Sequence, residues 1–114
     1  MNHLTAFLPK NKLEMTQEEK IKEALKGVID PELNLNIIDL GLVYEIKVDA
    51  DKAFIKMTLT SPFCPVGPQI LAGAKKAAES VEGITSANVQ LTFTPPWSPE
   101  KASAEIKAMF EHLM

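Results

Sequence analysis

Apolar and polar residues alternate over two adjacent stretches in the middle of the chain. Apolar or aromatic residues occupy positions 42, 44, 46 and 48, and the same spacing recurs at positions 53, 55, 57 and 59 after a short polar link. Alternation of this kind predicts half-buried β-strands, and the short link predicts an antiparallel hairpin. A third alternating stretch, with Ala87, Val89, Leu91 and Phe93 facing the core, predicts one more strand.

Three other stretches carry apolar residues at helical spacing. The first begins at Thr16, which is placed to form a capping box with Glu19, and this helix is predicted to continue until Pro31 stops it. The second helix is predicted over residues 69–81. The third is predicted to start after Ser98, an N-cap residue followed by proline, and to continue towards the C terminus.

The predicted order of elements is therefore α-β-β-α-β-α. A strand that is joined to the previous strand through a helix runs parallel to it by a right-handed crossover, so the sheet should be three-stranded and mixed. The outward positions of the strands are largely polar, which predicts helices on only one face of the sheet. The sequence thus predicts an α/β (α+β) fold, a two-layer sandwich.

A chain of 114 residues, 46% of them apolar and 24% charged, is typical of one soluble globular domain. The formal net charge of −3 argues against a nucleic-acid-binding protein. The single cysteine excludes an internal disulfide and favours the cytoplasm. Because the first periodic pattern begins at Thr16, we expect residues 1–15 to be a loose extension and residues 16–114 to form the domain.

The only cysteine lies in a proline-rich turn, residues 60–68 (TSPFCPVGP), between the second strand and the second helix. The prolines stiffen this turn and should end the strand at Thr60. If Pro65 occupies the first helical position, Cys64 becomes the N-cap, and the positive end of the helix dipole favours its thiolate. The alternative is a buried cysteine that acts as a small hydrophobic residue.

Three carboxylates and a tryptophan are the other candidate site residues. Asp30 and Glu32 lie two residues apart in a turn, whereas Asp39 lies between apolar neighbours and needs a hydrogen-bond or charge partner. The alternative for the turn is that Asp30 caps it and Glu32 is solvated. Parallel strands bring their carboxyl ends to one edge of the sheet, so we expect Trp97 near Cys64, either as a wall of the site or as part of the core.

Four blocks of the sequence carry a resemblance to a known family: 30–33 (DPEL), 36–44 (NIIDLGLVY), 60–65 (TSPFCP) and 95–97 (PPW). In this order and spacing they resemble the metal–sulfur cluster biosynthesis domain family, which includes SufT, the PaaD-type proteins and the eukaryotic cytosolic iron–sulfur targeting factors. The resemblance implies an α-β-β-α-β-α domain that helps iron–sulfur clusters reach recipient proteins. It also implies a set of functional residues, namely Cys64 as the reactive cysteine, Asp30 and Glu32 as the acidic turn, Asp39, Thr60 and Trp97.

The same resemblance implies a non-enzymatic factor that works with the iron–sulfur assembly machinery and with apo-protein recipients, and that holds a cluster only transiently. Iron–sulfur clusters commonly take four thiolates, whereas this chain contains one cysteine. Any cluster must therefore be shared, through Cys64 of a second copy in a homodimer, through a carboxylate such as Asp39 or Glu32, or through an external thiol. Cys64 is then a transient ligand or a partner-contact thiol.

Two other functional classes stay open at this point. In the first, the chain is a protein–protein interaction module in which Cys64 is structural, or an oxygenase accessory protein of the PaaD type. In the second, Cys64 is the nucleophile of a thiol enzyme. The usual imidazole base is missing from the predicted core, however, because His3 and His112 both lie near the termini.

Overall fold

A computed structural model describes residues 15–60 and 65–113, with the backbone alone for residues 110–113. Within these ranges the elements are α1 (Gln17–Leu25), β1 (Ile29–Asp30), β2 (Leu35–Asn36), β3 (Val43–Asp49), β4 (Lys52–Met57), α2 (Gly67–Glu79), β5 (Ser86–Leu91), a 3-10 helix (Pro99–Lys101) and α3 (Ala104–Leu113). The two-residue strands β1 and β2 pair with each other as a small antiparallel hairpin. The longer elements follow the order α-β-β-α-β-α, so the predicted fold class is confirmed.

Strands β3, β4 and β5 form a three-stranded sheet with β4 in the centre. β3 runs antiparallel to β4, with Ile46 opposite Ile55, and β5 runs parallel to β4, with Val89 also opposite Ile55. The parallel pairing is possible because α2 carries the chain back along the sheet before β5 begins. The predicted hairpin and the predicted mixed sheet are both confirmed.

Helices α1 and α2 cover one face of this sheet. α1 contacts β3, α2 contacts β5, and the two helices contact each other. The side chains of Ala53, Ile55 and Met57 in the central strand are buried, whereas Phe54 and Gln90 lie exposed on the opposite face. The molecule therefore has the predicted two layers and one open face.

The core lies between the two layers and also includes the β2–β3 connection, residues 37–42. Its buried apolar side chains are Ile21, Leu25, Ile37, Leu40, Leu42, Ala53, Ile55, Met57, Leu59, Ile70, Ala74, Ala78, Ile84, Ala87, Ala102 and Ile106. Burying one leucine or isoleucine side chain contributes roughly 1.5–3 kcal/mol. The β2–β3 connection contains no helix or strand, but it supplies several of these side chains. Their burial holds the connection in place, as it does the helices.

The prediction for α1 is confirmed at its start and wrong at its end. The hydroxyl of Thr16 accepts a hydrogen bond from the backbone N–H of Glu19, whose carboxylate accepts one from the N–H of Thr16. The helix ends at Leu25, however, well before the predicted end. Ile29 pairs instead with Asn36 in the β1–β2 hairpin. Isoleucine is branched at Cβ and favours a strand over a helix, so the hairpin replaces the last predicted helical turn.

The second helix is shifted by two residues from the predicted range of 69–81, because α2 spans Gly67–Glu79 with Val66 as its N-cap. The conditional arrangement, with Pro65 as the first helical residue and Cys64 as the N-cap, is not observed. Pro68 lies in the first turn instead, where a missing N–H costs no internal hydrogen bond. Val66 thus occupies the N-cap position that would favour a thiolate, and Cys64 itself lies outside the described residues.

The exposure of β5 differs from the prediction at its end. Ala87 is buried as predicted, but Leu91 and Phe93 are each 38% exposed. α2 bonds β5 at Ala87, near the start of the strand. The alternation in the sequence predicted the side of the strand on which each residue lies. It could not predict how much of that side the helices cover.

The C-terminal region forms two helices where one was predicted. The 3-10 helix ends at Lys101, and α3 begins only at Ala104. Ala102 between them is extended, with ψ of 163°. The backbone N–H of Ser103 donates to the carbonyl of Asp39 at 2.7 Å. This tertiary hydrogen bond fixes the interruption, and no local pattern in the sequence indicated it.

Candidate functional site

The acidic turn is the loop of the β1–β2 hairpin. Asp30 is 1% exposed, and its Oδ1 accepts hydrogen bonds from the backbone N–H of Glu32 at 2.9 Å and of Leu33 at 3.4 Å. The N–H of Asn34 donates to the carbonyl of Asp30 at 2.7 Å, and Asn34 has φ of 57°, a conformation that asparagine tolerates. Asp30 therefore caps the turn, and the side chain of Glu32 is exposed.

The second carboxylate oxygen of Asp30 takes no part in this capping. Oδ2 is buried, and among the described residues no donor bonds it. A buried polar atom without a partner costs roughly 1–3 kcal/mol, and a charged group costs more. Such an atom in a folded protein needs an explanation, and one explanation is that it binds a ligand or a partner group.

Asp39 is held by Asn36, a residue that the sequence reasoning missed. Asn36 Oδ1 accepts from the backbone N–H of Ile38 at 3.0 Å and of Asp39 at 2.8 Å, and Asn36 Nδ2 donates to Asp39 Oδ2 at 2.9 Å. The prediction that Asp39 needs a partner is confirmed. The asparagine three residues earlier was a usable signal, because asparagine side chains often bond backbone N–H groups two or three residues ahead.

The C-terminal segment, residues 95–103, packs on the β2–β3 connection. The indole Nε1 of Trp97 donates to the carbonyl of Leu40 at 2.5 Å, and Trp97 packs against the core. The backbone of Lys101 approaches so closely that a Cβ on Gly41 would lie 2.0 Å from the Lys101 carbonyl oxygen. Gly41 also has φ of +76°, so both its conformation and its surroundings require glycine.

Tyr44 joins the same segment to β3. Its hydroxyl donates to the carbonyl of Pro95 at 2.9 Å, and the Nζ of Lys101 lies 5.3 Å from the centroid of its ring. The second distance is that of a cation–π interaction. Burial raises the pKa of the Tyr44 phenol, and a hydrogen bond with Thr58 offsets part of this rise. The phenol therefore stays protonated at neutral pH and keeps its role as a donor.

These contacts connect Asp30, Asp39 and Trp97 through one short stretch of chain. Asp30 lies in β1, which pairs with β2, and the last residue of β2 is Asn36, the partner of Asp39. The next residue after Asp39 is Leu40, whose carbonyl accepts the Trp97 hydrogen bond. The structure thus joins the chain segments that carry these three side chains, through strand pairing and hydrogen bonds, and the role of the side chains in a site stays a prediction.

Thr60 is the first residue of the proline-rich turn 60–68 that contains Cys64 (the cysteine turn), and it is the last described residue before the gap at 61–64. The N–H of Thr58 donates to the carbonyl of Leu42 at 2.8 Å, which links the end of β4 to the β2–β3 connection. Thr60, two residues further on, is half-buried. Residues 61–64 lie outside the described residues, so the predicted proximity of Cys64 to Trp97 stays a prediction.

Two further findings apply to residues 15–60 and 65–113. No group of three or more His, Cys, Asp or Glu side chains in these ranges is arranged to hold a metal ion. None of the helices there is both long enough and apolar enough to cross a membrane.

A family model described as "Iron-sulfur cluster assembly protein" matches residues 18–91 of the chain. The chain belongs to this family. The matched part of this iron–sulfur cluster assembly protein runs from α1 to the end of β5 and includes the acidic turn, the β2–β3 connection and the cysteine turn. The resemblance found in the sequence is therefore confirmed.

Several relatives are similar over most of their length. An "Fe-S protein maturation auxiliary factor" of Porphyromonas gingivalis is 41% identical over 95 residues, which are 82% of this chain and 89% of the relative. The factor YitW of Bacillus subtilis, with the same description, is 40% identical over 96 residues, covering 83% and 94% of the two chains. SufT of Staphylococcus aureus, also so described, is 41% identical over 81 residues, covering 70% and 92%.

Two solved structures share the fold. A domain of unknown function from Bacillus anthracis superposes with a TM-score of 0.79 at 38% identity, covering 83% of this chain and 92% of that domain. A conserved hypothetical protein from Thermotoga maritima gives a TM-score of 0.73 at 42% identity, covering 84% and 98%. The fold of the family is therefore established for this chain by both sequence and structure.

Proposed function

We propose that this chain is an auxiliary factor for the maturation of iron–sulfur proteins, which carries clusters or helps their transfer to recipient proteins. Its family and its identity of 40% to 41% with relatives named as maturation auxiliary factors support the proposal. One observation in the structure connects the proposal with a particular residue. Oδ2 of Asp30 is buried and has no partner among the described residues. This atom belongs to the hairpin that also holds Asn36, the partner of Asp39.

In this proposal the cluster is cargo. Iron–sulfur clusters commonly take four thiolates, and the chain supplies one, from Cys64. The remaining ligands come from Cys64 of a second copy, from carboxylates such as Asp39 or Glu32, or from an external thiol. Release from such an arrangement breaks few bonds to the protein, which suits a group that must be passed on. Thr60 and Trp97 border the region where the transfer takes place.

The proposed partners are the iron–sulfur assembly machinery and the apo-proteins that receive clusters, and the proposed location is the cytoplasm. The relatives are named as auxiliary factors, which fits a protein without a catalytic activity of its own. The position of both histidines near the termini also supports this choice over a thiol enzyme, because a cysteine nucleophile is commonly activated by an imidazole.

Anaerobic reconstitution tests the role of Cys64. The wild type and Cys64→Ala are incubated with iron and sulfide, and the visible absorbance and the iron bound per chain are measured. We expect the wild type to take up a cluster and Cys64→Ala to lose most of this uptake, because the thiolate is the only one in the chain. Equal absorbance in the two proteins would rule out the ligand role.

Alkylation separates the proposal from an interaction module with a structural cysteine. Cys64 is treated with a thiol reagent at neutral pH in the folded protein, and the modified fraction is followed by mass spectrometry. A ligand or contact thiol must be accessible, so we expect rapid modification. Modification only after unfolding would favour the structural role.

The variant Asp30→Asn tests the unpaired oxygen. The amide oxygen can still accept the hydrogen bonds from Glu32 and Leu33, but an NH₂ group replaces Oδ2 and cannot bind iron. We expect cluster transfer to an apo-ferredoxin to fall while the melting temperature stays near that of the wild type. Asp49→Asn, the same substitution at an exposed residue of β3 outside this region, is the matched control. Unchanged transfer in Asp30→Asn would remove Oδ2 from the site.

A further inference from the structure

The outer edge of β5 is closed at Ala87. Glu79 Oε2 accepts a hydrogen bond from the N–H of Ala87 at 3.1 Å, and Lys75 Nζ donates to the carbonyl of Ala87 at 2.9 Å. Lys75 and Glu79 also form an ion pair at 2.6 Å. These two side chains of α2 occupy the places that the backbone of a further strand would take at this residue.

Val89 and Leu91 are the next residues of β5 whose backbone groups point away from β4, and they have no such cover. The N–H of Thr92 donates to the carbonyl of Met57 at 2.9 Å, so in this parallel ladder the even-numbered residues of β5 bond β4. Val89 and Leu91 therefore direct their N–H and C=O groups away from the sheet. In the part of the chain that the structure describes, no group closes the edge at these two residues.

The open part of this edge is also uncharged. β5 has the sequence SANVQL, whereas β3 at the opposite edge has the sequence VYEIKVD with charged residues at alternate positions. Proteins usually protect an edge strand from pairing with another chain by charges or by a bulge. A neutral edge with open donors and acceptors, and with Leu91 38% exposed, matches the backbone of one more strand.

We propose that this edge pairs with β5 of a second copy of the chain, antiparallel about a two-fold axis at Gln90. In this register Val89 of each copy lies opposite Leu91 of the other, and each such pair exchanges both of its backbone hydrogen bonds. A shift in one direction would bring Ala87 into the ladder, where the α2 ion pair already occupies its backbone groups. A shift in the other direction would place Val89 opposite a residue beyond the end of β5.

The side chains that meet in this register are compatible. On the helix side, Val89 meets Leu91 of the second copy, which gives an exposed leucine an apolar neighbour. On the open face, Gln90 meets Gln90 across the axis, and an amide carries both donors and an acceptor, so the two can bond each other. Asn88 meets Thr92, another polar pair. Because each residue fits its opposite number in the same strand, a second copy suits this edge better than an unrelated segment.

Charge substitution at the axis tests the pairing. Gln90 is exposed, so Gln90→Lys and Gln90→Glu keep the fold but place like charges opposite each other in either homodimer. We expect each variant to self-associate roughly two- to fivefold more weakly than the wild type. An equimolar mixture of the two variants should recover at least the wild-type affinity, because opposite charges then meet. Sedimentation equilibrium with a thiol reductant measures the association without a disulfide through Cys64.

Asn88→Lys is the matched control, because it adds the same charge to the same face of the strand but opposite Thr92. Its self-association should remain close to that of the wild type, since the added charges of the two copies lie farther apart than a Debye length. A wild type that stays monomeric up to near-millimolar concentration would overturn the proposal. Equal weakening by Asn88→Lys and Gln90→Lys, or a mixture of the charge variants that does not associate, would overturn the axis at Gln90.

Discussion

The two edges of the sheet differ in how the chain protects them. The β3 edge carries charged side chains at alternate positions and has an irregular register where Tyr44 lies between Val43 and Glu45. The C-terminal segment also reaches this edge through the hydrogen bond from Tyr44 to Pro95. Charges, a bulge and a covering segment are the usual means of preventing a strand from pairing with another chain.

The β5 edge has much less protection. It has no charge and keeps a regular register with β4, and among the described residues only the Lys75–Glu79 pair closes it, at Ala87. The difference follows from topology, because the C-terminal segment packs on the β2–β3 connection, on the β3 side of the sheet. One edge is therefore part of the region that holds Asp39 and Trp97, and in our proposal the other is available to a second copy.

The largest expected effect comes from displacing the C-terminal segment that covers the β3 edge. Gly41→Ala would place a Cβ 2.0 Å from the Lys101 carbonyl oxygen at a residue with φ of +76°. The C-terminal segment must then move away, and we expect the free energy of unfolding to fall by roughly 2–4 kcal/mol. Chemical denaturation measures this change.

The matched control for that variant is Gly73→Ala in α2. A Cβ at Gly73 would lie 3.4 Å from Val28 Cγ1, an ordinary contact, and alanine is favoured over glycine in a helix by about 0.5–1 kcal/mol. We expect Gly73→Ala to be neutral or stabilising. Similar losses in the two variants would mean that the approach of Lys101 to Gly41 does not limit stability.

A smaller effect is expected when the same segment loses one hydrogen bond. Trp97→Phe keeps an aromatic ring but removes the donor to the carbonyl of Leu40. We expect a loss of roughly 1–3 kcal/mol in the free energy of unfolding, because a part-buried carbonyl is left without its partner. Tyr44→Phe, which removes the more exposed bond to Pro95, should cost less. The reverse order would show that Tyr44 rather than Trp97 holds the segment.

The smallest effect concerns Ala87, the residue of the β5 edge whose backbone groups are bonded by Lys75 and Glu79. This effect depends on pH. The hydrogen bond from Lys75, together with that from the Ala87 N–H, lowers the pKa of Glu79 below its ordinary value. A carboxylate with a lowered pKa in the folded state stabilises the protein above the unfolded-state pKa, and this contribution is lost as the pH falls through the folded-state pKa. The free energy of unfolding of Glu79→Gln should therefore fall less than that of the wild type as the pH is lowered from neutral to acidic.

Unfolding measured from neutral to acidic pH tests this expectation, with Glu45→Gln at the β3 edge as the control. The pKa of Glu45 is also lowered, chiefly by a hydrogen bond from Lys47 and further by Lys56, but within the described residues its carboxylate bonds these side chains and no backbone group. Surface ion pairs contribute little to stability, whereas Glu79 also accepts from the Ala87 N–H, so Glu45→Gln should change the curve less than Glu79→Gln. Identical curves for the wild type and Glu79→Gln would contradict the expected role of Glu79.

Contacts that depend on residues close in sequence were predictable, both among the candidate residues and in α1. The acidic turn, the need of Asp39 for a partner and the capping box at Thr16 follow from local spacing, and the contacts of the described residues agree with all three. The role of Asn36 was missed although its spacing to Asp39 is local. The Trp97 bond to Leu40 spans 57 residues and has no local signal.

The sequence by itself determined the order of elements, the mixed sheet and the family, because periodicity and turn residues act within a few positions and the family blocks lie in fixed order. Only the tertiary structure decided where α1 ends, why α3 begins late and which part of the β5 edge stays open. Each of these depends on a hydrogen bond or pairing between distant or competing segments, such as Ser103 with Asp39 or Lys75 with Ala87. A backbone group bonds the partner that packing brings to it, and that partner is fixed only when the layers assemble.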